Sequence, residues 1–248
     1  MAQEDLFLEI SKGNIYKHKP VKVSGYNPAI AGAEEDIWAS TGVYTGFNSI
    51  VAERVSVVST VGADSLLGTG ARLVQLFGLD ANWNFQTEII AMSGAAPVLS
   101  VNSYIRAPRL VVRTAGTGGT NAGTITYNQA VTVANVFGVI LPGIGESQNM
   151  VYSMPDGFDG YLLSYRVSVG GLAAAFADIR LYTRRFGEVF CGRELWGSHS
   201  EASSPLISPP MKLYLPPKSD IKFAAIASGA CSVSGSADIV EIERWTQP

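Results

Sequence analysis

Two imidazoles and two thiols, His18, His199, Cys191 and Cys231, are all the histidine and cysteine that the chain holds. None stand at zinc-ligand spacing. No G-x-S-x-G elbow accompanies either histidine, and His199, within Gly197-Ser198-His199-Ser200-Glu201, reads as a loop tip. Asp156-Gly157-Phe158-Asp159-Gly160 has a calcium-loop look but lacks the bidentate Glu downstream, so it reads as a turn held by Asp side chains. Gly68-Thr69-Gly70 is a fragment of a dinucleotide motif. Gly116 to Gly123 has no Lys-Ser or Lys-Thr behind it and reads as a long hairpin loop needing positive φ. Glu34-Glu35-Asp36, before Ile37-Trp38, offers three acids for a cation, with a turn cap or a solvated edge beside a buried Trp38 as the plainer reading. Trp83, Tyr104, Tyr182 and Trp196 are candidate sugar-stacking rings, and core or interface filling is preferred for them. A carboxylate pair for glycoside hydrolysis is defined by its separation, which a sequence does not contain. The expectation is a non-enzyme with no cofactor and no metal.

Composition narrows the partners. Among 248 residues, charged side chains make up only 16% and the net charge is −3. That balance argues against a nucleic-acid footprint. Charge this sparse, with 26 glycines and 12 prolines, suggests many tight turns and a surface covered by something else. The longest apolar stretch, Val136 to Leu141, is too short to span a bilayer. Met1-Ala2-Gln3-Glu4-Asp5 has no signal-peptide character. Folding in a cytoplasm is therefore expected, with Cys191 and Cys231 as two buried thiols in preference to one disulfide.

The elements that would position any site are strands. Between Ala63 and Tyr127 the runs Arg72–Phe77, Phe85–Met92, Val98–Ile105 and Arg109–Thr114 alternate with Gly, Asn, Asp and Pro. Glu53–Val61 precedes them, and Val131–Leu141 follows as a strand or short helix, with extended structure favoured. Later runs are Ser147–Met154, Tyr161–Val169, Asp178–Arg184, Glu188–Cys191, Met211–Leu215, Ile221–Ile226 and Ala237–Trp245. The alternation predicts Tyr161, Leu163, Tyr165, Val167 and Val169 on one buried face, and Ile179, Leu181 and Thr183 on another. No stretch holds an apolar period of 3.6 residues over three turns. The fold class expected is all-β: antiparallel, jelly-roll-like sandwiches, two in tandem, with an extended N-terminal arm. The expected division is an arm and lead-in loops over 1–50, a first sandwich over 51–145 and a second over 146–248.

Several motifs recur in an order that carries a resemblance. They are Leu6-Phe7-Leu8-Glu9-Ile10, Glu34-Glu35-Asp36-Ile37-Trp38, Gly42 to Tyr44, Asp64, Gly68-Thr69-Gly70-Ala71-Arg72, Gly78-Leu79-Asp80, Asn121-Ala122-Gly123-Thr124-Ile125 and Met154-Pro155-Asp156-Gly157. Over about residues 5 to 170 the chain resembles a group of virion structural proteins from tailed bacteriophages, especially phages of marine bacteria. The resemblance implies assembly: a capsid decoration, cement or vertex protein bound to the major capsid protein or other virion proteins in symmetric copies. A homotrimer is expected, and neither nucleic acid nor membrane as a partner. The alternative is a receptor- or glycan-binding module on a head or tail fibre. The contact expected with the capsid or another partner is the arm, through Leu6, Phe7 and Leu8 and the basic Lys12, Lys17, Lys19 and Lys22.

Overall fold

The computed structural model describes residues 6–171, 176–199, 206–208 and 211–244. They form a mainly β protein with several small antiparallel sheets. In chain order the elements begin with α1 (Leu6–Ser11), β1 (His18–Ile30), β2 (Glu35–Asp36), a 3-10 turn (Thr45–Asn48), β3 (Glu53–Ser59), β4 (Ala71–Leu79), β5 (Phe85–Ala91), β6 (Val98–Tyr104), β7 (Arg106–Ala115), β8 (Ile125–Gln129) and β9 (Val136–Ile140). They continue with β10 (Val151–Ser153), β11 (Phe158–Gly171), β12 (Phe176–Arg185), β13 (Cys191–His199), β14 (Leu206–Ile207), β15 (Leu213–Leu215), β16 (Ser219–Ala227) and β17 (Cys231–Glu243).

One sandwich packs the sheet β6-β3-β8-β9 against the sheet β5-β4-β7. Val55, Val57, Ile125, Tyr127 and Phe137 from the first meet Val74, Leu76, Ile90 and Leu110 from the second. The other sandwich packs β1-β17-β11, with β14 and β15 at its far edge, against β10-β16-β12-β13, with β2 beside β16. Its core joins Val23, Leu162, Tyr165, Val167, Val233 and Ile239 to Ile179, Leu181, Ile221 and Phe223.

The largest departure from the sequence reading is at the N-terminus. Residues 18–30, assigned there to an arm, form a 13-residue strand paired to β17 from His18↔Ile242 through Val23↔Ala237 to Ile30↔Cys231. β2 likewise pairs with β16, so the first sandwich is inserted between strands of the second. Pairing across this span depends on a partner more than 200 residues away, and Lys19, Pro20 and Lys22 mask the strand with the residues that usually mark an outer edge. Leu6 to Ile10, expected as part of an extended arm, falls in a short α-helix, Leu6–Ser11, with Ile10 buried.

A second departure is a register shift. β11 carries a bulge at Leu163, between Leu162↔Ile239 and Ser164↔Asp238. The extra residue flips the alternation. Leu162, rather than Tyr161 and Leu163, is therefore the buried neighbour of Tyr165, Val167 and Val169. In β12, which pairs with β16 without a break, Ile179, Leu181 and Thr183 are buried as the alternation predicts. Val131–Leu141 splits into an exposed turn and the short β9, and the strand placed at Glu188 starts only at Cys191.

The Gly116–Gly123 stretch is not a hairpin. It carries the chain from β7 in one sheet to β8 in the other. Gly119 alone among its glycines has positive φ, at 77°. Gly116 is needed for close approach, because a Cβ there would run into the Gly68 carbonyl and Thr69. The post that holds these loops is Asp64, fully buried. Its carboxylate accepts from the Ser59 hydroxyl at 2.6 Å and from the amides of Ala71 at 2.7 Å, Ala122 at 2.7 Å and Gly123 at 2.9 Å. Three of the motifs that carry the phage resemblance thus meet at one carboxylate.

Burial alone would raise the Asp64 pKa, but those four donors outweigh it and hold it below the ordinary range. The folded state therefore binds fewer protons than the unfolded chain. The stabilisation is full above the unfolded value, near about 3.9, and is lost as pH falls through the folded value. Asp64→Asn is expected to cost about 1.5–3 kcal/mol at pH 7. Its thermal melt should converge on that of the unaltered protein in strong acid, and a constant gap between the two from pH 7 to pH 2 would refute this role.

Candidate functional site

The joint between the sandwiches is charged and largely buried. β16 is inward-facing through Ile221, Phe223 and Ala225, and its other face, Asp220, Lys222 and Ala224, is covered in turn by the first sandwich and the 36–47 segment. Arg106, at the start of β7, is 1% exposed and crosses the joint. Its Nε and Nη2 donate to the two oxygens of Asp220 at 3.0 and 2.9 Å, and Nη1 donates to the carbonyls of Ser49 and Ile105. Asp220 also accepts from Arg184 Nε at 3.0 Å and from the Ser153 hydroxyl at 2.6 Å. The Arg106 guanidinium lies 5.0 Å from the Trp83 ring centroid and 5.5 Å from that of Phe186. Trp83 reaches this place from the β4–β5 turn, with φ of 66° and Asp80 accepting from the amides of Asn82 and Asn84. Lys222, one step along β16, pairs at 2.8 Å with Asp36.

Beside the joint a cleft of about 510 Å³ opens between the sandwiches, with β1 and β10 on one side and β4, β5 and β7 on the other. Glu241 of β17 is 5% exposed at its floor and accepts from the Tyr152 hydroxyl at 2.5 Å. Burial pushes the Glu241 carboxyl above its ordinary range, while Tyr152 and Lys19 pull the other way. Burial also raises the Tyr152 phenol far above its usual value, which keeps it a donor to that carboxylate. At the rim, Arg109 and Glu146 pair at 2.5 Å. Phe77, Phe85 and Phe158 supply rings, and Lys19 Nζ lies 4.3 Å from the Phe158 centroid.

The contact residues expected from sequence do not act as one arm. Leu6, Phe7 and Leu8 are exposed on α1, and Lys12 is turned back onto Glu9 at 2.6 Å. Phe7, with Ile10, flanks a groove over β1 and β17. Lys17 sits at a positive-φ turn, its ammonium 3.7 Å from Glu243. Lys19 and Lys22 belong to β1 and line the cleft. The other candidates disperse. Glu34 binds Arg180, Glu35 binds the Gly42 amide, and Asp36 is buried with Lys222 instead of forming a solvated edge. Trp83 and Tyr104 are buried, and the Tyr182 hydroxyl donates to Glu34. Gly157 turns on Asp156, which meets Lys218, and Asp159 meets Arg244. Cys231 is buried, Cys191 is exposed, and both are free thiols, so the expectation of two buried thiols fails at Cys191. His18 donates from Nδ1 to the Tyr16 carbonyl, whereas the side chains of Trp196 and His199 in β13 lie outside the described residues.

Sequence reasoning passed over Arg106, Asp220, Tyr152 and Glu241. The available signal was charge at alternating positions of strands as apolar as Ile221–Ile226, which an ordinary solvent-facing strand explains equally well.

No protein-family model matches the chain, and no curated protein matches it either. Among solved structures it has distant similarity to a viral capsid protein. The structure of the infectious bursal disease virus Gx strain is 10% identical, with 94% of this chain and 74% of that one covered, at a TM-score of 0.28. The VP2 subviral particle of infectious bursal disease virus is 11% identical, with 92% and 73% covered, at a TM-score of 0.26. Among the described residues no helix is long and apolar enough to cross a membrane.

Proposed function

We propose that this chain is a non-enzymatic virion structural protein of a tailed phage, a capsid decoration, cement or vertex protein. It binds the major capsid protein or other virion proteins and assembles as a homotrimer. The observation that carries the reading is an apolar surface at one end of the first sandwich, displayed on loops that hydrogen bonds hold rigid. Val131 is 83% exposed and Val133 64%, beside Ile50 and Val51. Glu53 accepts from the amides of Val131 and Thr132 and from the Thr132 hydroxyl. Gln129 donates to the Val51 carbonyl and to the Ser49 hydroxyl. Clustered apolar groups on a preordered loop lose little entropy on docking and mark an interaction surface. The sequence resemblance to phage virion proteins and the sparse charge support the same reading.

The test uses light scattering on the full chain and on a Val131→Asp, Val133→Asp variant, with quantitation of the protein in purified virions. Expected are a trimer for the unaltered chain, its dissociation in the variant without loss of melting temperature, and copies on the order of hundreds per particle for a decoration protein in a symmetric shell. A monomer at all concentrations that is absent from virions would overturn the proposal.

A further inference from the structure

We propose that the cleft between the sandwiches is a carbohydrate-binding site for a neutral oligosaccharide. The inference does not depend on the virion reading. At about 510 Å³ the cleft lies in the size range of small-ligand sites. Six consecutive residues of β1, Lys19 to Ser24, line it, so it runs along the strand's outer edge, since one face would contribute only alternate residues. An extended peptide adding to that edge is disfavoured, because Pro20 has no amide hydrogen and Lys19 and Lys22 flank it.

The lining chemistry selects the ligand. Both signs of charge are present and largely matched within the wall: Arg109 with Glu146, and Glu241 with the Tyr152 hydroxyl on one side and Lys19 across the β1–β17 ladder. A polyanion would meet Glu146 and Glu241, and a polycation would meet Lys19, Lys22 and Arg109. A hydroxyl donates to one sign and accepts from the other. Sugar rings also present apolar C–H faces, which suit Phe85 at the rim and Phe77 beside it, their centroids 6.4 Å apart.

A second observation lies in the back wall. Asn149 is 4% exposed, and its Nδ2 is directed to the carbonyls of Pro108 and Phe137 and the Tyr127 hydroxyl. Those carbonyls fix the amide orientation, and Oδ1 is left buried with no partner. The amide so anchored ties Pro108 of the lining to Phe137 and Tyr127 of the neighbouring core, which holds this wall of the cleft in shape before a ligand arrives.

The test is saturation-transfer NMR of the full-length protein against linear oligosaccharides of glucose, galactose, mannose and N-acetylglucosamine, with heparin as a polyanion control. At least one neutral oligosaccharide is expected to show saturable transfer. Phe85→Ala should weaken it about tenfold, the order expected for loss of one stacking ring. Phe85 is 60% exposed, so the thermal melt should stay unchanged. Glu241→Gln, which keeps an acceptor for Tyr152, provides a second variant expected to weaken binding. Transfer to none of the neutral sugars, transfer to heparin alone, or undiminished binding by both variants would overturn the proposal.

Discussion

Asp220→Ala is expected to destabilise the protein by about 3–5 kcal/mol, the cost of stripping a buried ion pair of one partner. Arg106 would lose both of its carboxylate bonds while 99% buried between rings, and Arg184 would lose its bond to the same group. The Arg106 guanidinium, 1% exposed, has no water to turn to, and the Ser153 hydroxyl loses its acceptor with it. The damage falls on the joint, so the transition should be seen first by the fluorescence of Trp83, whose ring lies 5.0 Å from Phe186 across it. Urea denaturation measures the loss directly. The double variant Arg106→Met, Asp220→Leu should be more stable than Asp220→Ala, because it also removes Arg106, the fully buried one of the two arginines that Asp220→Ala leaves unpaired. If Asp220→Ala stays within about 0.5 kcal/mol of the unaltered chain, the value typical of surface changes, the joint is not held this way.

Deleting residues 1–25 is expected to unfold the second sandwich, whereas deleting residues 1–11 should leave the melt nearly unchanged. The longer deletion removes most of β1 and bares the flank of β17 from Gly235 to Ile242. Ladder bonds contribute about 0.5–1.5 kcal/mol each, so losing several consumes much of a typical domain's stability. Val23 also leaves the core, and Gly25 leaves the tight contact where its Cα lies against Met150 and the Ile37 carbonyl. The shorter deletion removes α1, whose Ile10 is its buried side chain. Circular dichroism melts of the two truncations separate the outcomes. A stable fold after removal of 1–25 would return these residues to the status of a detachable arm.

The strand content was legible in the sequence because it is local. Alternation at Ile179, Leu181 and Thr183, turn residues such as Pro155-Asp156-Gly157, and the lack of any helical period each depend on neighbours a few residues apart. The scarcity of charge was legible too, and with it the expectation of covered surface. The tertiary structure decided everything that rests on distant partners. Nothing in residues 18–30 says that their ladder is β17, and nothing near Leu163 says that a partner strand will accommodate a bulge there. Arg106 and Asp220 each look like solvent-facing charges on alternating strands, and only the insertion of one sandwich into the other buries them together. The same holds for Glu241 and Tyr152, which stand 89 residues apart and meet in a cleft bounded by both sandwiches. Local pattern sets which face of a strand is apolar, but what covers the other face is a property of the assembled chain.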